Sequence, residues 1–260
     1  MDDSSIQKKQ DATTGINYGI LILIAAASIG FQISLHLGID DPEKFDIADV
    51  IYTAGSLTCA LSAFYISRRY RKSEVFGKAY FFLGLGFALW FVGDLIYFYY
   101  SYVLEIDPYP SLADIFYFTL YLPMIAHLVI NTKYFKRKLD ISQKILLVAL
   151  PILIVSVYSY MNFVQIGDDN FDYYYGLIFV TASSVTVAFA VLGASVFRHS
   201  ILGTAWLLLA IGIFMVTLSD VWYYYTETFG EWDITHPTTT LYVTSYMVIV
   251  YALYKHRSVF

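Results

Sequence analysis

Asp94, in WFVGDLIYFYY, and Asp220, in MVTLSDVWYYY, are carboxylates set inside otherwise uncharged apolar stretches. An ionisable group at membrane depth is costly, and by default it marks a functional site with a partner. Such a carboxyl is either neutral or ionised beside a cation or hydrogen-bond donors. No Lys or Arg is expected at that depth, so the donors are Tyr, Ser and Thr hydroxyls, a Trp indole, or the second carboxyl. Two facing carboxyls can share a proton or hold a cation, which points to a ligand or ion site or to a proton relay. The alternative is packing, in which each neutral Asp fastens a neighbouring helix. Trp90, Tyr97, Tyr223, Tyr117, Tyr121, Tyr242 and Tyr246 are the residues expected to share such a site. Tyr117 and Tyr121 stand one turn apart on one helical face, as do Tyr242 and Tyr246.

A second cluster runs from Ile106 to Met124, IDPYPSLADIFYFTLYLPM. Pro108 and Pro110 stiffen a loop, Ser111 is placed to cap the next helix, and Asp114 falls in its first turn, where a carboxylate complements the helix dipole. Pro123 is expected to kink that helix about two-thirds of the way along. Tyrosines crowd at 97–102, 173–175 and 223–225. An interfacial aromatic belt accounts for such density; an aromatic-lined outward cavity offering cation–π contacts is the other reading. His36 near Asp40, Asp41 and Glu43 fits no specific metal motif and reads as part of an acidic loop, and His127 and His236 read as lone polar groups. No metal site is expected.

The elements that must position these groups are membrane helices. A chain that is 58% hydrophobic, 19% aromatic and 14% charged could not keep its surface wet as a soluble domain. Apolar stretches near the roughly 20 residues of a spanning helix fall at about 17–38, 46–67, 77–103, 112–131, 143–163, 173–196, 201–226 and 236–254. The second, opened by Asp46 and Asp49 and rich in Ser, Thr and Gly, is the weakest, so seven helices is the competing count. Lys and Arg mark cytoplasmic loops. Arg68, Arg69, Arg71, Lys72 and Lys78 lie between segments two and three, and Lys133, Lys136, Arg137, Lys138 and Lys144 between four and five. Arg198 follows segment six, Lys255 and Arg257 follow segment eight, and Lys8 and Lys9 precede segment one. The alternate loops hold Asp40, Asp41, Glu43, Asp107, Asp168, Asp169, Asp172, Glu231 and Asp233, with Lys44 their only base. The expectation is a multi-pass cell-membrane protein with both termini cytoplasmic. The net charge of −5 then averages a basic inner rim and an acidic outer one. The run from Ile16 to Leu37 is too long for a secretory h-region of about 7–15 residues and reads as a retained helix. Cys59, the single cysteine, excludes an intrachain disulfide and a cysteine-based metal site.

The pattern repeats. Segments two and six align at a separation of 128, pairing Thr53 with Thr181, Ala54 with Ala182, Ser56 with Ser184 and Thr58 with Thr186. Segments three and seven align at 126, pairing Leu83 with Leu209, Gly86 with Gly212, Asp94 with Asp220 and Tyr97 with Tyr223. Segments four and eight align at 125, pairing Tyr117 with Tyr242, Thr119 with Thr244 and Tyr121 with Tyr246. Segments one and five do not align. The fold expected is therefore all-α and integral to the membrane, with a cytoplasmic segment at 1–15 and two parallel four-helix repeats at 16–138 and 139–260. Sites in such folds tend to sit between the halves.

Several chemistries are excluded. Retinal attachment needs a lysine in mid-helix, whereas Lys255 sits at the rim, and there is no phosphate loop, nucleophile elbow, zinc-protease helix or potassium-type filter. WFVGD from Trp90 to Asp94, followed by YPSLADIFY from Tyr109 to Tyr117, resembles multi-helix membrane input regions. Those regions stand ahead of histidine kinases, PAS domains or diguanylate cyclases in archaea and bacteria, and also occur alone. The resemblance covers mainly segments three and four and, faintly, seven and eight. It implies a sensory or ligand-responsive module with Trp90, Asp94, Pro110, Asp114 and Tyr117 as the matching positions. The sequence ends at Phe260, six residues after the last segment, so signalling is expected through a separate partner. Three function classes follow: a sensor or receptor-like module binding a small ligand or ion between its halves, a secondary transporter or ion conductor using Asp94 and Asp220, and a structural subunit of a membrane complex. No catalytic constellation and no cofactor is indicated. The partners expected are the lipid bilayer, a membrane or cytoplasmic signalling protein, or further copies of the chain, and not nucleic acid.

Overall fold

The computed structural model of the chain describes residues 15–37, 47–163, 171–230 and 233–259. Among them there is no strand. The long helices are α1 Tyr18–Leu37, α2 Ile47–Arg69, α3 Phe76–Phe98, α4 in two segments Leu112–Thr119 and Tyr121–Phe135, α5 Ile141–Phe163, α6 Phe171–Phe197, α7 Gly203–Thr228 and α8 Pro237–Val259. Seven of them, α1 to α7, are long and apolar enough to cross a membrane, which makes this a multi-pass helical membrane protein. The segment expected to be weakest, α2, is among the seven. The polar one is α8, diluted by Thr238, Thr239, Thr240, Thr244 and Ser245 and by Lys255, His256 and Arg257 near its end. Thr238, Thr239 and Ser245 are buried inside the protein, so α8 meets little of the environment that demands an apolar surface.

Six helices close a ring. Going round it, α2 packs on α3, α3 on α4, α4 on α6, α6 on α7, α7 on α8, and α8 back on α2. Close approach is secured by glycine at two places: a Cβ on Gly86 of α3 would meet Met124 Cγ of α4 at 2.7 Å, and one on Gly212 of α7 would collide with Ile249 of α8. The other two helices stand outside, α1 against α8 and α5 against α6 and α7. Their outer faces are bare and apolar, with Leu23 68% and Ile152 59% exposed, as lipid contact requires. Polar pins hold α1 to α8: Thr244 Oγ1 donates to Ser28 Oγ at 2.7 Å, Gln32 Nε2 to the Thr235 carbonyl at 2.8 Å, and Lys255 Nζ to the Gly15 carbonyl at 2.6 Å.

The ring has two unlike ends. One carries Arg71, Lys72, Lys136, Arg137, Lys138 and Arg198 in its connections and is closed by ring contacts, Phe76 on Phe135 at 5.6 Å and Phe135 on Phe197 at 4.9 Å. The other carries Glu105, Asp107 and Asp233. There α3 unwinds through a π-turn, Tyr99–Val103, into a loop in which Glu105 takes a left-handed backbone with φ 52°. The loop ends in a capping box, with Ser111 Oγ accepting from the Ala113 amide at 3.2 Å and Asp114 Oδ2 accepting from the Ser111 amide at 2.7 Å.

The hydrogen-bond ladder of α4 is broken once, next to Leu120, which itself keeps α-helical dihedrals of φ −59° and ψ −30°. Pro123 has no amide hydrogen for the carbonyl four residues back, and its ring crowds that carbonyl, which belongs to Thr119.

Candidate functional site

Asp94 is 1% exposed and Asp220 4%, so neither faces lipid. Each oxygen of each carboxyl accepts a hydroxyl. Ser56 Oγ of α2 donates to Asp94 Oδ2 at 2.6 Å, and Tyr117 OH of α4 to Asp94 Oδ1 at 3.0 Å. Tyr242 OH of α8 donates to Asp220 Oδ1 and Tyr121 OH of α4 to Asp220 Oδ2, both at 2.7 Å. Tyr117 and Tyr121, one turn apart, therefore hold different carboxyls. Gly93 admits the first of these contacts, because a Cβ there would press the Tyr117 ring at 2.6 Å. These bonds are the ones the packing reading expects.

The carboxyls also share space. Both line a single cavity of about 710 Å³ that runs from them to the loop at 104–109 and to Ile234. Of the residues expected to form a site, Trp90, Tyr97, Tyr117, Tyr121, Tyr223 and Tyr242 line it as well. Tyr246 does not. It is 1% exposed and lies behind the wall, edge-on to Trp90 at 5.0 Å and to Tyr52 at 5.9 Å, where it fixes the rings that do face the cavity. Asp114 caps α4 and also lines the cavity, whereas Pro110 and Ser111 only shape the loop. The tyrosine-rich stretches divide accordingly: Tyr97, Tyr102, Tyr223 and Tyr224 face the cavity, while Tyr99 and Tyr174 are exposed.

Several lining residues escaped sequence reasoning. Tyr52 of α2, Phe179 of α6 and Thr239 of α8 carry no local signal, being ordinary members of their helices. Ser56, which bonds Asp94, aligns in sequence with Ser184, but Ser184 Oγ turns to the Thr181 carbonyl at 2.8 Å and the second bond to Asp220 comes from Tyr121.

The cavity wall contains Asp94, Asp220, Asp114 and Glu105 and no Lys, Arg or His. Tyr109 roofs it, edge-on to Tyr175 at 5.6 Å and to Tyr223 at 6.4 Å, with its hydroxyl 3.3 Å from Asp172 Oδ1. Burial, reinforced by the negative charges of Asp172 and Glu227, raises the Tyr109 phenol above its ordinary value, so it stays a donor. No group of three or more His, Cys, Asp or Glu among the described residues is arranged to hold a metal ion. The acidic residues next to His36 lie outside the described residues. His127 is buried, its Nδ1 2.9 Å from the Ala79 carbonyl and its ring stacked on Trp206. His236 Nδ1 accepts from the Thr238 amide at 3.4 Å at the start of α8, and burial holds this imidazole below its ordinary value. The chain matches no protein-family model, no curated protein and no solved structure.

Proposed function

We propose that this protein is a receptor-like or sensory membrane module that admits a small ligand or ion from the outer side into a cavity between two repeats. The observation that carries the reading is that Asp94 and Asp220, one from each half of the chain, line one cavity and are held by neighbouring tyrosines of a single helix. A purely structural aspartate needs no such space. Duplication is supported by matched contacts: Tyr117 on Asp94 corresponds to Tyr242 on Asp220, and Met124 against Gly86 to Ile249 against Gly212. The order of helices round the ring repeats likewise, α2–α3–α4 followed by α6–α7–α8. The basic end is the cytoplasmic one by the positive-inside rule, which puts both termini inside and the cavity mouth outside. An occupant that competes for the tyrosine hydroxyls would shift α4, whose far end joins the basic connections facing a partner or lipid headgroups.

Transport is the second reading, favoured by two buried carboxyls that share one cavity, a pair suited to carrying a proton or a cation. Proteoliposomes separate the two. Receptor function predicts vesicles that hold proton and sodium gradients as well as protein-free ones do, with ligand binding lost in Asp94→Asn and Asp220→Asn. A flux abolished by those substitutions would establish transport instead.

A further inference from the structure

We propose that the occupant is a small organic amine in its protonated form, carrying an apolar or aromatic body; this rests on the cavity being a ligand site. Charge selects the sign. Four acidic side chains and no basic one line the cavity, so those that are ionised repel an anion and attract an ammonium. The carboxyls keep capacity for it: each oxygen has two lone pairs and accepts one hydroxyl here, which leaves one for a ligand N–H.

Size and wall chemistry select the class. About 710 Å³ suits a drug-sized molecule and far exceeds a bare ion. Trp90, Tyr52, Tyr97 and Tyr223 present rings to that space, surfaces that attract cations and cover apolar bodies. Thr239 supplies an independent sign. It is 5% exposed, lines the cavity, and its hydroxyl has no hydrogen-bond partner. A buried hydroxyl left unsatisfied is costly, and a turn of the Thr239 side chain toward an ammonium N–H in the cavity would remove that cost. Quaternary ammonium ions have no N–H and would leave it unmet.

Cysteine labelling in native membranes tests this with the full chain. Ser101 lines the cavity near its mouth and is half-buried, so Ser101→Cys in a Cys59→Ala background places one thiol there. Thiosulfonate reagents convert that thiol to a mixed disulfide with release of methanesulfinate. An ethylammonium reagent should react at least about tenfold faster than an ethylsulfonate reagent, relative to their ratio on a free thiol, as expected from a carboxylate field worth about 1.4 kcal/mol or more. Phenethylamine should protect the thiol, and 2-phenylethanol should not. Asp94→Asn or Asp220→Asn should each lower the rate ratio by at least about twofold. Glu105→Gln, at an exposed position of the mouth, should lower it about twofold as well. Equal rates for both reagents, with alcohol and amine protecting alike, would overturn the amine assignment and leave the ligand cavity standing. Failure of a small neutral methyl reagent to react at all would show a closed interior and overturn both.

Discussion

A hydroxyl bonded to a buried carboxyl is worth little net until its partner is taken away, when the desolvated group left behind costs about 1–3 kcal/mol. Asp220→Ala strands two buried phenols, those of Tyr121 and Tyr242, and is expected to destabilise by about that amount for each. A cycle of Tyr121→Phe, Asp220→Asn and the double variant, followed by thermal or denaturant unfolding in detergent, should return a coupling of about 0.5–3 kcal/mol. Additive effects would show that the bond has no energetic weight. Gly93→Ala drives a methyl into the Tyr117 ring and should cost about 1–3 kcal/mol while weakening the Asp94 contact. Asp94, Asp220 and six of the seven flanking aromatics were legible in the sequence because a charge in an apolar helix and a helical period are local signals. Tyr246 was misplaced and Tyr52 overlooked because facing a cavity rather than a neighbouring ring is decided by helix rotation, which one strand of sequence does not encode.

At the scale of the helix, Pro123 costs α4 one backbone bond, the one its missing amide would give the Thr119 carbonyl, while Leu120 stays helical. Pro123→Ala restores that bond and should stabilise α4, read as a higher unfolding midpoint in detergent, with the coupling between Tyr121 and Asp220 unchanged in the same cycle. A second helix end answers to pH. His236 caps α8 through a neutral ring nitrogen, and its pKa lies below the ordinary histidine value because burial disfavours the charged form. The unfolded chain therefore binds the proton more readily, so the cap's contribution is intact above pH ~6.5 and is lost as pH falls below it. His236→Asn, which keeps an acceptor, should flatten that part of the stability profile; an unchanged profile would remove His236 from the account. The eight helices were legible to within about two residues, counting the π-turn with α3, except that α4 and α8 run four and five residues beyond the ends that hydropathy marks.

For the whole molecule, the closed ring with two outlying helices divides the surface into faces with different tolerance. Val148 of α5 is 60% exposed among Ile145, Ile152 and Leu153. Val148→Arg should impose an insertion penalty of about 2.5–3.5 kcal/mol, read as a lower fraction of membrane-integrated chains, whereas Val148→Leu should insert normally. The ring follows the chain order α2–α3–α4–α6–α7–α8, while nothing in the sequence signals the outlying positions of α1 and α5. Those two helices do not align with each other, and they lean on unlike neighbours.

The placement of Tyr117 and Tyr121 on different carboxyls gives α4 two footholds about one turn apart. Under the proposed ligand site, an occupant that took Tyr117 from Asp94 and one that took Tyr121 from Asp220 would load α4 at different points along its length, against the packing of Leu120, Met124 and Leu128 that holds it to its neighbours.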